Sequence, residues 1–102
     1  MDLKPGSRWK SAVCDTEFVV VRPPKTAISL ECGGHPMAPH TADKPVGLSL
    51  SEAHATRSQT GKRFSDEATG LEVLCTKGGA GSPSVDGRPI RAKEPKTLPS
   101  SD

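Results

Sequence analysis

Trp9-Lys10-Ser11-Ala12-Val13-Cys14 leads into Glu17-Phe18-Val19-Val20-Val21-Arg22, and after a proline turn the chain resumes as Ile28-Ser29-Leu30-Glu31-Cys32-Gly33-Gly34-His35-Pro36-Met37. Segment 17–22 is β-branched and aromatic, side chains that suit a pleated, half-buried strand. Pro23-Pro24 ends it, because two prolines remove ladder donors and fix φ. Ile28, Leu30 and Cys32 then alternate with Ser29 and Glu31, the period of two that marks a strand with one face buried. Together the runs predict a β-hairpin with its loop over 23–27. Gly33-Gly34-His35-Pro36 predicts a tight turn, where glycine supplies positive φ and close backbone approach.

Order returns at Lys62-Arg63-Phe64, and 66–70 reads as a turn. Leu71, Val73 and Cys75 alternate with Glu72, Leu74 and Thr76, predicting another strand. Ser84-Val85 and Pro89-Ile90 flank Asp86-Gly87, a strong hairpin-turn dipeptide. Between these regions the pattern fails. Residues 38–61 are rich in Pro, Ser, Thr, Ala and His, so a loop is expected, with a weak helix over 51–58 capped by Ser51. That composition buries little apolar surface, and 38–60 is expected to be the most mobile internal stretch. The predicted core is Trp9, Val13, Phe18, Val20, Ile28, Leu30, Met37, Phe64, Leu71 and Val73.

At 102 residues the chain is expected to form one domain, divided into 9–37, 38–61, a second β region over 62–90 and a polar tail over 91–102. Only 32% of residues are hydrophobic, while ten Gly and ten Pro favour turns and coil around a small β core over any helical bundle. A net charge of +2, with the basic residues scattered, argues against a nucleic-acid partner. No apolar run approaches the ~18 residues of a spanning helix, and the N-terminus lacks the apolar core of a signal peptide. The expectation is a cytoplasmic protein with no membrane partner. Three cysteines suit free thiols or metal ligands better than a secreted disulfide scaffold.

The segment from Trp9 to Met37 resembles the desulforedoxin-type domain, which is also the N-terminal module of desulfoferrodoxins. That family opens with an aromatic-Lys-Cys-x-x-Cys motif and returns with Leu-x-Cys-Cys-Gly-x-x-Met, and its four thiolates hold iron or zinc. Here Cys14 and Cys32 stand at two of the four positions, Ser11 replaces the first cysteine of one pair, and Gly33 the second of the other. A tetrahedral thiolate site needs four donors, so the family's iron site does not carry over intact. The resemblance implies the strand-and-turn module, adjacent Cys14 and Cys32, and a symmetric homodimer. The second domain of superoxide reductases, whose iron takes four His and one Cys, is not matched by a chain with three His.

Three readings of the cysteines follow. The first is a degenerate, metal-free module in which Cys75 lies elsewhere with its thiol buried. In the second, the C-x-x-H spacing of Cys32 and His35 joins Cys14 and Cys75 in a rebuilt Cys3His site for zinc or iron. The third is a Cys14–Cys32 disulfide or redox pair. No catalytic constellation is evident. Lys77-Gly78-Gly79-Ala80-Gly81-Ser82 follows a strand, but a phosphate loop ends in Gly-Lys-Ser/Thr and opens a helix. No Gly-x-Ser-x-Gly elbow exists, and Asp66-Glu67 read as solvated turn carboxylates. The sequence therefore predicts a small, mostly-β, non-enzymatic accessory or interaction protein without a cofactor, with the zinc or iron protein as the alternative.

Overall fold

The computed structural model describes residues 1–44 and 47–92. Among the described residues, ten short strands form two antiparallel sheets. They are β1 (Arg8–Lys10), β2 (Glu17–Arg22), β3 (Leu30–Cys32), β4 (His35–Pro36), β5 (Ala38–Pro39), β6 (Arg63–Asp66), β7 (Leu71–Lys77), β8 (Pro83–Val85), β9 (Arg88–Pro89) and β10 (Arg91–Ala92). The larger sheet has the order β10-β6-β7-β2-β1-β5, and the smaller one β4-β3-β8-β9. The small mostly-β architecture expected from composition and alternation is the one found.

The expected hairpin between 17–22 and 28–32 is not. β2 lies between β1 and β7, with Phe18 opposite Cys75 and Val20 opposite Val73. β3 pairs instead with β4 and β8 in the other sheet. The prolines explain the divergence. A register shift at Val20/Arg22 disrupts the ladder just before Pro23-Pro24, and the Lys25 N–H donates to Thr69 O on the β6–β7 turn. The loop is thereby led past β7 and into the second sheet.

Other local signals hold. Asp86 (φ 50°) and Gly87 (φ 82°) make the two-residue turn that joins β8 to β9, where both central residues need positive φ. Asp86 also exchanges bonds with Ser29, accepting its N–H through Oδ1 at 2.8 Å and donating its own N–H to Ser29 O at 3.0 Å. Over 51–58 only a three-residue 3-10 turn forms, Glu52–His54, and the Ser51 side chain does not cap it. The tail begins with a strand, since Arg91 and Ala92 pair with Ser65 and Phe64. The rest of the expected tail, 93–102, lies outside the described residues, as do Pro45 and Val46 of the middle segment.

The predicted core residues are buried except Val13, which is half-buried, and Leu3, Cys32, Cys75, Val85 and Ile90 join them. Phe18 and Phe64 meet edge to face with centroids 5.6 Å apart, a favoured aromatic geometry. Asp66 is a correction to the expectation of solvated carboxylates. At the end of β6 it is only 4% exposed. Its carboxylate accepts from Thr69 Oγ1 at 2.6 Å and from both terminal nitrogens of Arg88 on β9, so the ion pair ties one sheet to the other. Those hydrogen bonds, Arg88's first, hold the Asp66 carboxyl below its ordinary 3.8 against the opposing effect of burial.

Candidate functional site: a sulfur pair under a glycine loop

The turn between β1 and β2 is built on Ser11. Its N–H donates to Thr16 O at 2.8 Å, closing the turn, and its Oγ accepts the N–H groups of Val13 and Cys14, both at 3.1 Å. A serine hydroxyl bonding backbone two and three residues ahead is a common local device for such turns. Ser11 and Thr16 are fully buried, and Cys14 is partly so. The Cys14 thiol donates to Thr16 Oγ1 at 3.2 Å.

Cys32 ends β3 with no exposed surface, directly before Gly33 (φ 68°) and Gly34 (φ 88°). That turn is anchored by the Gly33 N–H on Ser82 O at 3.1 Å and the Ser51 N–H on Gly33 O at 2.9 Å. The result places Cys14 Sγ 4.0 Å from Cys32 Sγ. The adjacency expected for these two cysteines is present.

The glycine run that follows β7 directs its Gly78, Gly79 and Ser82 N–H groups to the protein's own oxygens. It lies on the sulfurs. A Cβ on Gly81 would stand 3.0 Å from Cys14 Sγ and 3.1 Å from Cys32 Sγ. One on Gly79 would meet Thr16 N at 2.7 Å, and one on Gly78 would meet Ser58 O at 2.6 Å. None of the three has positive φ, so close approach, not backbone conformation, is what demands glycine here.

The two thiols sit in different electrostatic settings. Burial pushes the Cys14 thiol up. Hydrogen bonds from the Ser11 and Thr16 hydroxyls and from the backbone at Thr16 and Gly81 outweigh that and leave it below the ordinary 9.0. Cys32 is deeper, and burial, followed by the charge on Cys14, pushes it up to about 12. A partly buried, more ionisable sulfur therefore faces a fully buried, less ionisable one. Comparisons with family models, curated proteins and solved structures return no match.

The remaining residues of the expected Cys3His site go elsewhere. His35 Nε2 bonds Ser49 O at 2.8 Å. Cys75 is buried on β7, its thiol donating to Lys77 O at 3.2 Å, and its pKa is raised mainly by burial. Among the described residues no group of three or more His, Cys, Asp or Glu is placed to hold a metal ion. The structure brings Cys14 and Cys32 together, while His35 and Cys75 each hydrogen-bond a backbone carbonyl, Ser49 O and Lys77 O, and Cys75 still feels the charge of Cys14. Sequence reading missed Ser11, Thr16 and Gly81 as neighbours of the sulfurs. Ser11 had a signal, its position in the resembled motif; Thr16 had none.

Proposed function

We propose that Cys14 and Cys32 form a dithiol–disulfide couple, and that this couple is the working part of a small accessory protein. The observation that carries the reading is the 4.0 Å separation of the two sulfurs on the turns of two different sheets. A disulfide needs an S–S distance of about 2.05 Å, so the two sulfurs must approach by about 2 Å for the bond to form. The metal-free accessory role expected from sequence thereby acquires a chemistry.

The exchange follows the asymmetry of the pair. Cys14 thiolate attacks one sulfur of a partner disulfide, forming a mixed disulfide and releasing the first partner thiolate. Cys32 then loses its proton to that departing thiolate and attacks Cys14 Sγ. The Cys14–partner bond breaks, the Cys14–Cys32 bond forms, and the second partner thiol leaves with a proton from solvent. The partner disulfide is reduced to two thiols and the protein pair is oxidised by two electrons. Once Cys14 is in the mixed disulfide it carries no charge, so the part of the rise on Cys32 that comes from Cys14 is relieved before Cys32 must ionise.

The test is oxidation of the purified chain with oxidised glutathione, followed by intact and peptide mass analysis. A Cys14–Cys32 disulfide, lost with either Cys14→Ser or Cys32→Ser and retained with Cys75→Ser, is the expected result. Cys32→Ser should instead accumulate glutathione on Cys14. One zinc or iron per chain in protein purified without added metal, lost with the same two substitutions, would overturn the reading in favour of the metal alternative.

A further inference from the structure

The glycine loop over 78–82 is laced to a segment that the sequence left without a role. Ser58 and Gly79 exchange two backbone bonds, at 2.9 and 3.0 Å. The Arg57 N–H donates to Ala80 O at 3.1 Å, and the Ser82 N–H to His54 O at 2.8 Å. The Ser58 hydroxyl, on a residue 4% exposed, donates to Gly81 O at 2.7 Å. Thr60 adds its Oγ1, which accepts the Gly78 N–H at 2.8 Å. Residues 54–60 therefore form a strap, and what the strap holds down is the backbone lying on both sulfurs.

Resting on the dithiol reading, we propose that this strapped loop is a cover that fixes the order of attack, with Ser58 as its latch. Cys32 is fully buried beneath Gly81, so no outside disulfide reaches it, and the one electrophile within its reach is the Cys14 sulfur once that sulfur is in a mixed disulfide. Cys14, at the edge of the cover, meets the partner first. Without the cover both sulfurs would be open to capture, and a partner bound to Cys32 would leave the more ionisable thiol to resolve it. Ser58 is a positioning residue: its hydroxyl touches neither sulfur and acts through the Gly81 peptide. Gly81 works in the same device by leaving the space between the sulfurs free. A methyl group there would press on both and hold them apart.

The experiment labels the reduced full-length chain with N-ethylmaleimide under native conditions and reads each cysteine by mass spectrometry over time. In the wild type Cys14 is modified first and Cys32 lags. In Ser58→Ala the Cys32 rate should rise about fivefold, the change in opening expected from losing one hydrogen bond of ~1 kcal/mol. Cys14 and the buried Cys75 should keep their rates, and Ser58→Thr, which retains the hydroxyl, should restore the lag. Equal acceleration at Cys75 would mean general loosening and overturn the latch. So would an unchanged Cys32 rate. Gly81→Ala gives a second handle: after treatment with oxidised glutathione it should carry glutathione on Cys14 but form no internal disulfide. Normal closure in that variant would overturn the cover. If the wild type itself never forms the Cys14–Cys32 bond, the dithiol reading fails; if it does while the Ser58 and Gly81 variants behave as wild type, only the cover does.

Discussion

Two buried polar clusters join the sheets, and they are made of opposite materials. One is ionic: Asp66 on β6 gripping Arg88 on β9, with Thr69 beside it. The other holds no formal charge in its resting thiol form: Cys14, Cys32, Ser11, Thr16 and the peptides of the glycine loop. An ion pair with a half-exposed arginine serves as a clasp, since the cation remains hydrated on one side. The neutral cluster is held by hydroxyls and backbone groups, which leaves the sulfurs free to change covalent state. On the dithiol proposal, the first cluster serves stability and the second chemistry.

That division is open to direct attack. Gly79→Ala should have the largest effect, ~3 kcal/mol of lost stability by urea denaturation, because its Cβ would run into the backbone of Thr16, which cannot yield as a flexible side chain does. A loss below ~1 kcal/mol would show that the glycine loop is looser than its contacts indicate. Asp66→Ala should cost ~2 kcal/mol through lost charge-assisted bonds, while leaving the alkylation rate of Cys14 unchanged. Coupled changes in both readouts would break the separation of roles.

The two clusters should also respond to opposite ends of the pH scale. Asp66 has a folded pKa below 3.8, so its contribution is complete above that value and is lost as pH falls through the folded one. Acid unfolding should therefore begin at higher pH in wild type than the residual transition seen in Asp66→Asn, relative to each protein's own neutral stability. Cys32 is raised from 9.0 to about 12, and Cys75 is raised as well. The unfolded chain ionises these thiols first, so stability should decline as pH rises from 9.0 through about 12, with the lowered Cys14 offsetting part of the slope. Replacing Cys75 by Ala or Cys32 by Ser should flatten that alkaline limb in urea titrations.

The smallest effect concerns the strap. Arg57 has φ 75°, a left-handed conformation that costs a non-glycine residue ~1–2 kcal/mol. Arg57→Gly keeps the N–H bonded to Ala80 O and removes that strain, and glycine's greater freedom in the unfolded chain cancels part of the gain. A net stabilisation of ~0.5 kcal/mol is expected from thermal melts. Destabilisation would mean that the Arg57 side chain has contacts of its own.

Much of the β framework was legible because it depends on neighbours in sequence. Alternation at Leu71, Val73 and Cys75 marks β7, and Asp86-Gly87 marks the β8–β9 hairpin, through backbone rules that need no knowledge of the partner strand. The mispaired β2 shows the limit. Its alternation says that Phe18 and Val20 face inward, yet nothing in it chooses β7 over β3 as partner. The nearness of Cys14 and Cys32 was expected only through the resemblance of the 9–37 segment. Their cover was not legible, because a glycine needed for close approach looks like any loop glycine until the chain pressing on it is known, and Ser58 lies 23 residues from the peptide it holds.

Gly33 carries a consequence for anyone who would rebuild the chain. A four-thiolate centre would need a cysteine there, partnered by another at Ser11. Gly33 has φ 68°, and a Cβ on it would stand 2.5 Å from Val13 Cγ2 and 2.6 Å from Leu50 Cδ1. Position 33 is closed twice over, by its backbone angle and by two side chains that occupy the volume a thiol would enter. Grafting the missing sulfurs onto this scaffold therefore means recutting the turn and trimming Val13 and Leu50 together. As a template for engineering, the module is committed to two sulfurs.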